Sequence, residues 1–277
     1  MPPTAAPEGS GAPGARLARL RGALRGLGSA LVCFSGGADS ALVLAVARAE
    51  LGDGAVALTA VSPSLADAER EAAAAFCRAL GARQLWVETR EQAAPGYAAN
   101  GPDRCYFCKD ELYRVAGAKA AELGLAHVLD GFNRDDAAEH RPGRRAALEQ
   151  GVRSPLVEAE LSKADVRAIS RELGLATWDK PAAPCLASRI PTGTPVTPLR
   201  LSQVARGEAA LRALGFKVFR LRHHEEVARL ELAADELARL FDPATRRAVD
   251  EAVKAAGYRF VSVDLEPFRS GRLSVTS

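Results

Sequence analysis

Four short stretches of this 277-residue chain combine residue types that can do chemistry together. The first is Phe34-Ser35-Gly36-Gly37-Ala38-Asp39-Ser40, set between a short apolar run and a helical one. Two glycines let the backbone turn tightly and approach a ligand with no Cβ in the way. The amides there, with a helix N-terminus behind them, make a nest for an anion. Ser35 and Ser40 add hydroxyl donors, and Asp39 can act through a bound Mg2+ or as the helix cap. The lysine of a Walker-type loop is missing, so the stretch reads as a cradle for phosphate or pyrophosphate. The plainer alternative is a strand-to-helix turn capped by Ser and Asp.

The second stretch, Arg104-Cys105-Tyr106-Phe107-Cys108-Lys109, is a CxxC flanked by basic residues. The third runs from Asp130 through Asn133 to Asp135 and Asp136. So acidic a loop repels a phosphate ligand unless Mg2+ or another cation intervenes; its bland reading is a set of turn caps. The fourth, residues 178–189, carries Lys180, Cys185, Ser188 and Arg189. Two of only six lysines, Lys109 and Lys180, fall in these stretches while arginine fills most other basic sites, which marks them as chosen for a role. A CxxC plus a distant cysteine can hold an iron–sulfur cluster, or zinc with a histidine such as His127 or His140 as fourth ligand. No thioredoxin-like context favours a redox CxxC. Cys33, inside an apolar run, and Cys77, on a helix face, read as small core residues.

The elements that must position these residues alternate. Residues 31–34, 55–61, 85–87 and 126–129 are short, apolar and bounded by turn residues, as buried strands are. Between them, residues 40–51, 66–80 and 111–123 carry apolar positions at helical spacing and end in Leu-Gly. Strict alternation predicts an α/β fold, a parallel sheet with helices on both faces, whose ligands bind beyond the carboxyl ends of the strands. The expected domain spans 16–190, after a disordered Pro-, Gly- and Ala-rich tail at 1–15. Residues 191–200, rich in Pro and Thr, read as a linker. A small α+β domain follows at 201–277: a helix at 199–214, strands at 217–222 and 227–232, a helical run at 235–256 split at Asp242-Pro243, and a strand at 259–264. Arg220 and Arg222 alternate on one strand face, suiting a phosphate, an intersubunit contact or a solvated face.

Composition narrows the class. Apolar residues make up 48% and charged residues 26%, as in an ordinary globular protein. A net charge of +3 is no nucleic-acid footprint. No apolar run approaches the ~20 residues of a membrane span, and five cysteines without an export signal fit a reducing cytoplasm. Membrane, secreted and fibrous classes are excluded on these grounds.

The SGGxDS stretch resembles the loop of the PP-loop ATP pyrophosphatases (adenine nucleotide alpha hydrolase-like fold), which split ATP between the α- and β-phosphates. That resemblance implies adenylation of a substrate oxygen. All the stretches together, from residue 16 to 264, resemble the LarE family of ATP-dependent sacrificial sulfur transferases, which help build the nickel-pincer cofactor of lactate racemase. The resemblance implies adenylation of the carboxylates of pyridinium-3,5-biscarboxylic acid mononucleotide, then replacement of AMP by sulfur. It implies catalytic roles for Cys185, Asp39, Lys109 and Arg189. ATP and substrate contacts fall to Ser35, Gly36, Gly37, Asp39, Ser40, Asp130, Asn133, Asp135, Asp136, Ser188, Arg220 and Arg222. In some members the cysteine matching Cys185 loses its own sulfur; in others it joins a CxxC to hold a 4Fe-4S cluster carrying an expendable sulfide. With Cys105, Cys108 and Cys185 all present, the cluster type is expected, alongside ATP and Mg2+. Glu208 and Glu231 match acidic residues that bind metal in relatives.

The expected partners are a small nucleotide substrate, a second copy of the chain, a sulfide donor and a downstream nickel-inserting protein; nucleic acid and membrane are not expected. The rivals are a tRNA thiolase, which needs a more basic surface, another adenylating enzyme such as an amide-forming ligase, and a non-catalytic nucleotide sensor.

Overall fold

The computed structural model describes residues 13–138, 142–181 and 184–268. In chain order the elements begin with α1 (Pro13–Arg25), β1 (Ala30–Cys33), α2 (Ala38–Leu51), β2 (Ala55–Val61), α3 (Asp67–Leu80) and β3 (Arg83–Glu88). Next come α4 (Pro95–Ala98), α5 (Arg104–Glu122), β4 (His127–Leu129), α6 (Arg134–Ala138), α7 (Pro142–Glu149), α8 (Pro155–Glu158) and α9 (Lys163–Glu172). The last are α10 (Pro198–Ala213), β5 (Phe219–His224), β6 (Val227–Leu232), α11 (Ala234–Leu237), α12 (Pro243–Ala255) and β7 (Phe260–Val263). None of the described helices is long and apolar enough to cross a membrane.

The chain divides into two compact units. Met1–Ala60, Glu69–Thr89 and Lys109–Pro181 form the first; Val61–Ala68, Arg90–Cys108 and Ala182–Ser277 form the second. The CxxC segment thus clusters with the C-terminal part of the chain. Of the tail read at residues 1–15, residues 1–12 lie outside the described residues, and α1 begins at Pro13.

The first unit is the expected α/β layer. Its all-parallel sheet has the order β3-β2-β1-β4 and is flanked by helices. β1 is buried along its whole length, because β2 pairs on one side (Ala30 opposite Ala55) and β4 on the other (Ala30 opposite His127). A strand covered on every side must be apolar throughout, which is why Ala-Leu-Val-Cys shows no alternation. α2 is buried continuously from Ser40 to Ala47, so its apolar residues run all round the helix. Leu20, Leu24, Leu42, Val46, Val166 and Ile169 join it in one core. The Leu-Gly pairs close α2, α3 and α5 as expected, each glycine having a positive φ.

In the second unit β5 and β6 form an antiparallel hairpin and β6 pairs in parallel with β7. Leu201, Val204 and Leu211 of α10 and Val249 and Val253 of α12 pack with Phe219, Leu221 and Leu230 of the sheet. The helical run at 235–256 breaks as expected: Asp242 caps α12 by accepting from the Thr245 amide at 2.8 Å, and Pro243 takes the first helical turn. The Pro191–Arg200 stretch read as a linker lies inside this unit and is pinned there. Asn100 Nδ2 donates to the carbonyls of Ile190, Pro191 and Thr194 at 3.3, 2.8 and 2.8 Å. Its Pro and Thr residues mark a tied turn leading into α10.

Candidate active site

In the first unit the 35–40 loop leaves β1 and turns directly into α2. Gly36 has φ 76°, a conformation that a side chain resists, so the turn requires glycine there. Ser40 is buried and ties the loop together: its hydroxyl accepts from the Ser35 amide at 3.2 Å, lies 3.1 Å from Ser35 Oγ and donates to the Gly37 carbonyl at 3.2 Å. Gly37 is the N-cap of α2, and no side chain caps that helix end. The amide donors of its first turn are therefore left for an anion.

The reading of Asp39 as a helix cap is corrected by this arrangement, since α2 starts one residue before it. Asp39 instead pairs with Lys163 Nζ and accepts from Asn133 Nδ2 at 3.3 Å. Asn133 is buried and caps α6, its Oδ1 accepting from the amides of Asp135 and Asp136 at 2.9 and 3.2 Å. Asp135 in turn accepts from the Lys163 amide at 2.8 Å. Lys180 Nζ donates to the Gly36 carbonyl at 3.0 Å and to Glu69 at 2.7 Å. Two lysines thus flank the loop, one on its acidic residue and one on its backbone.

Asp130, 2% exposed, follows β4 and accepts from Ser154 Oγ at 2.7 Å, Tyr113 Oη at 2.9 Å and the Phe132 amide at 3.1 Å. Burial raises its pKa above the ordinary carboxylate value, against the pull of those donors and of Lys109. Lys109 Nζ stands 5.5 and 5.8 Å from the ring centroids of Tyr113 and Phe132. Because the folded-state pKa of Asp130 lies above its unfolded value near 3.8, its contribution to stability is greatest below that value and declines as pH rises through the folded one. We expect Asp130→Asn to remove this decline, so that the stability of variant relative to wild type rises from pH 3 towards neutrality, as measured by urea unfolding at a series of pH values.

Gly131, between Asp130 and Asn133, adds a close backbone approach to the phosphate-type loop. A Cβ on Gly131 would lie 2.8 Å from the Ser40 amide nitrogen and 3.0 Å from its Cα. Neither atom can swing aside, so we expect Gly131→Ala to cost about 1–3 kcal/mol in urea unfolding, the usual range for overpacking.

The second unit holds the thiols. Cys105 is exposed and Cys108 half-buried, both on the first turn of α5 and three residues apart, so they share a face. Cys185 is exposed, in the segment before the Leu186–Arg189 turn. Burial works against the charge of Arg104, but the thiols of Cys185 and Cys105 outweigh it and hold the guanidinium above its ordinary pKa. Cys33 and Cys77 lie in the first unit's core; burial drives their thiols up to about 12 and about 11, as befits inert cysteines. Among the described residues, no three of His, Cys, Asp and Glu are grouped to hold a single metal ion. His127 lies on β4, and His140 falls outside the described residues.

Arg189, expected from the resemblance to be catalytic, is 4% exposed and braces the loop that carries Cys185. Its guanidinium meets both carboxylate oxygens of Glu208 at 2.7 and 3.1 Å, and its Nη1 donates to the Pro184 carbonyl, the Cys185 carbonyl and Ser188 Oγ at 2.6, 3.2 and 3.0 Å. Arg222 donates to the Ser188 carbonyl at 3.1 Å and to Glu231 at 2.8 Å. Glu208 and Glu231, read as metal ligands, are therefore occupied by guanidinium groups: Glu208 also pairs with Arg212, and Glu231 with Arg229. Arg220 is crowded by burial first and then by Arg189, which lowers its pKa to about 10.

Sequence reasoning missed Lys163, Tyr113, Ser154 and the position of Lys180 on the loop backbone. Lysine scarcity was a usable signal for Lys163, which is one of the same six. Nothing local marks Tyr113 or Ser154.

No family model matches the chain. An uncharacterized protein of Synechocystis is 44% identical over 259 residues, 94% of this chain and 97% of that one. The pyridinium-3,5-bisthiocarboxylic acid mononucleotide synthase of Lactiplantibacillus plantarum is 38% identical over 260 residues, 94% of each chain. The chain is an enzyme of the LarE family. An uncharacterized protein of Methanocaldococcus jannaschii shares 28% identity over 171 residues, 62% of this LarE-family chain.

Proposed function

We propose that this LarE-family enzyme adenylates the carboxylates of pyridinium-3,5-biscarboxylic acid mononucleotide with ATP and converts them to thiocarboxylates. What supports the reading is that one chain carries both an uncapped α2 N-terminus flanked by Lys163 and Lys180 in the first unit and three non-core thiols, two of them around Arg104, in the second. The α2 amides and Ser35 suit the leaving pyrophosphate, and the two lysines offset its charge. The substrate carboxylate attacks the α-phosphorus, the bond to the β-phosphate oxygen breaks, and pyrophosphate departs. Sulfur then attacks the acyl carbon and AMP leaves, carrying the bond's electron pair. Two rounds give the bisthiocarboxylate.

Asp39 offers carboxylate oxygens of the kind Mg2+ takes, and Mg2+ would neutralise phosphate charge there. Cys105, Cys108 and Cys185 are thiolate donors of the kind a 4Fe-4S cluster takes; they would hold it, and it would supply the expendable sulfide. In this reading Arg189 and Arg222 hold the Cys185 loop, and Arg220 offers a guanidinium to a substrate phosphate. Action as a cytoplasmic homo-oligomer, with a sulfide donor and a nickel-inserting protein up- and downstream, belongs to the same proposal. The reading is tested by pyrophosphate release from ATP, measured with and without the biscarboxylate. Release that requires the biscarboxylate is expected; release that requires tRNA instead overturns it.

A further inference from the structure

Arg104 makes contacts that the reaction as proposed does not use. Its Nη1 donates to the carbonyl of Ala187 at 2.8 Å and to Asn100 Oδ1 at 2.9 Å, while its Nη2 stands 3.9 Å from Cys105 Sγ. One planar fork therefore joins the start of the CxxC helix to the loop two residues past Cys185. Its anchor is rigid. Asn100 is 2% exposed and sits at φ 55°, a strained conformation for a residue with a side chain, maintained by its three carbonyl contacts across residues 190–194. From the other side, the Leu186 amide donates to the Ser64 carbonyl at 3.0 Å. Cys185 is thus suspended between fixed points, and Arg104 also reaches the CxxC.

We propose that Arg104 is a positioning residue that sets Cys185 against Cys105 and Cys108, so that the three sulfurs act as one donor set. This rests on the three-thiol reading above. A lysine would not substitute, because a point charge on a flexible stem cannot hold Ala187 and Asn100 at once. The fork ties the loop after Cys185 to the first turn of the CxxC helix before any metal arrives.

The test is thiol bridging in the reduced, metal-free protein with dibromobimane, which fluoresces after linking two nearby sulfurs, the bridges being assigned by peptide mass. Wild type should form a bridge from Cys185 to Cys105 or Cys108, as well as one between Cys105 and Cys108. In Arg104→Met the Cys185 bridge should form about tenfold more slowly, as expected when an imposed orientation is lost, while the bridge within the CxxC keeps its rate. Arg104→Lys, a milder change that preserves charge, should slow the Cys185 bridge by about threefold. Unchanged Cys185 bridging in both variants overturns the positioning role and leaves the three-thiol reading standing. Absence of any Cys185 bridge in wild type overturns both.

Discussion

In Cys185→Ala, thiocarboxylate formation should be lost altogether, while biscarboxylate-dependent pyrophosphate release stays within about threefold of wild type, since only the second half-reaction has lost a group. The structural reason lies in how the loop is held. Arg189 reaches the carbonyls of Pro184 and Cys185, Arg104 that of Ala187, and Arg222 that of Ser188. Every one of these contacts ends on backbone, so cutting the Cys185 side chain at Cβ leaves the loop braced. Rapid-quench measurement of pyrophosphate and thiocarboxylate in the same samples separates the half-reactions. Loss of both products together would mean that Cys185 also takes part in adenylation, contrary to the role assigned here.

Asp39→Asn should strike the first half-reaction, and with it everything downstream. We expect pyrophosphate release to fall by about 10²–10³-fold, the usual effect of removing one preorganised electrostatic contact from a reacting phosphate. Asp39 touches both Lys163 and Asn133, so the amide leaves the lysine uncompensated and would weaken the Mg2+ ligation proposed above. Substrate binding measured by calorimetry in the absence of ATP should change little. Release persisting near the wild-type rate would remove Asp39 from the reaction.

Local pattern made the first unit legible. The uninterrupted apolar character of β1 and the Leu-Gly endings of α2, α3 and α5 follow from packing and cap geometry that a few residues encode. The α12 start at Asp242-Pro243 was readable for the same reason. What stayed hidden were partners far apart along the chain. Asn100 gives no sign of its bonds to residues 190–194, so a tied turn reads as a linker. Nothing local to Arg189 tells that Glu208, on another helix, closes on its guanidinium. Ownership of the CxxC by the second unit also depends on such long-range contacts. The loop at 35–40 was found from its residues, yet the lysine on Asp39 comes from α9, well over a hundred residues later.

Intact-mass measurement of the protein after anaerobic turnover with ATP and the biscarboxylate reads directly where the transferred sulfur comes from. A thiocarboxylate product together with an unchanged polypeptide mass is the predicted result, Cys185 keeping its sulfur as part of the three-thiol set. A protein lighter by one hydrogen sulfide, with the loss mapped to Cys185, would contradict it.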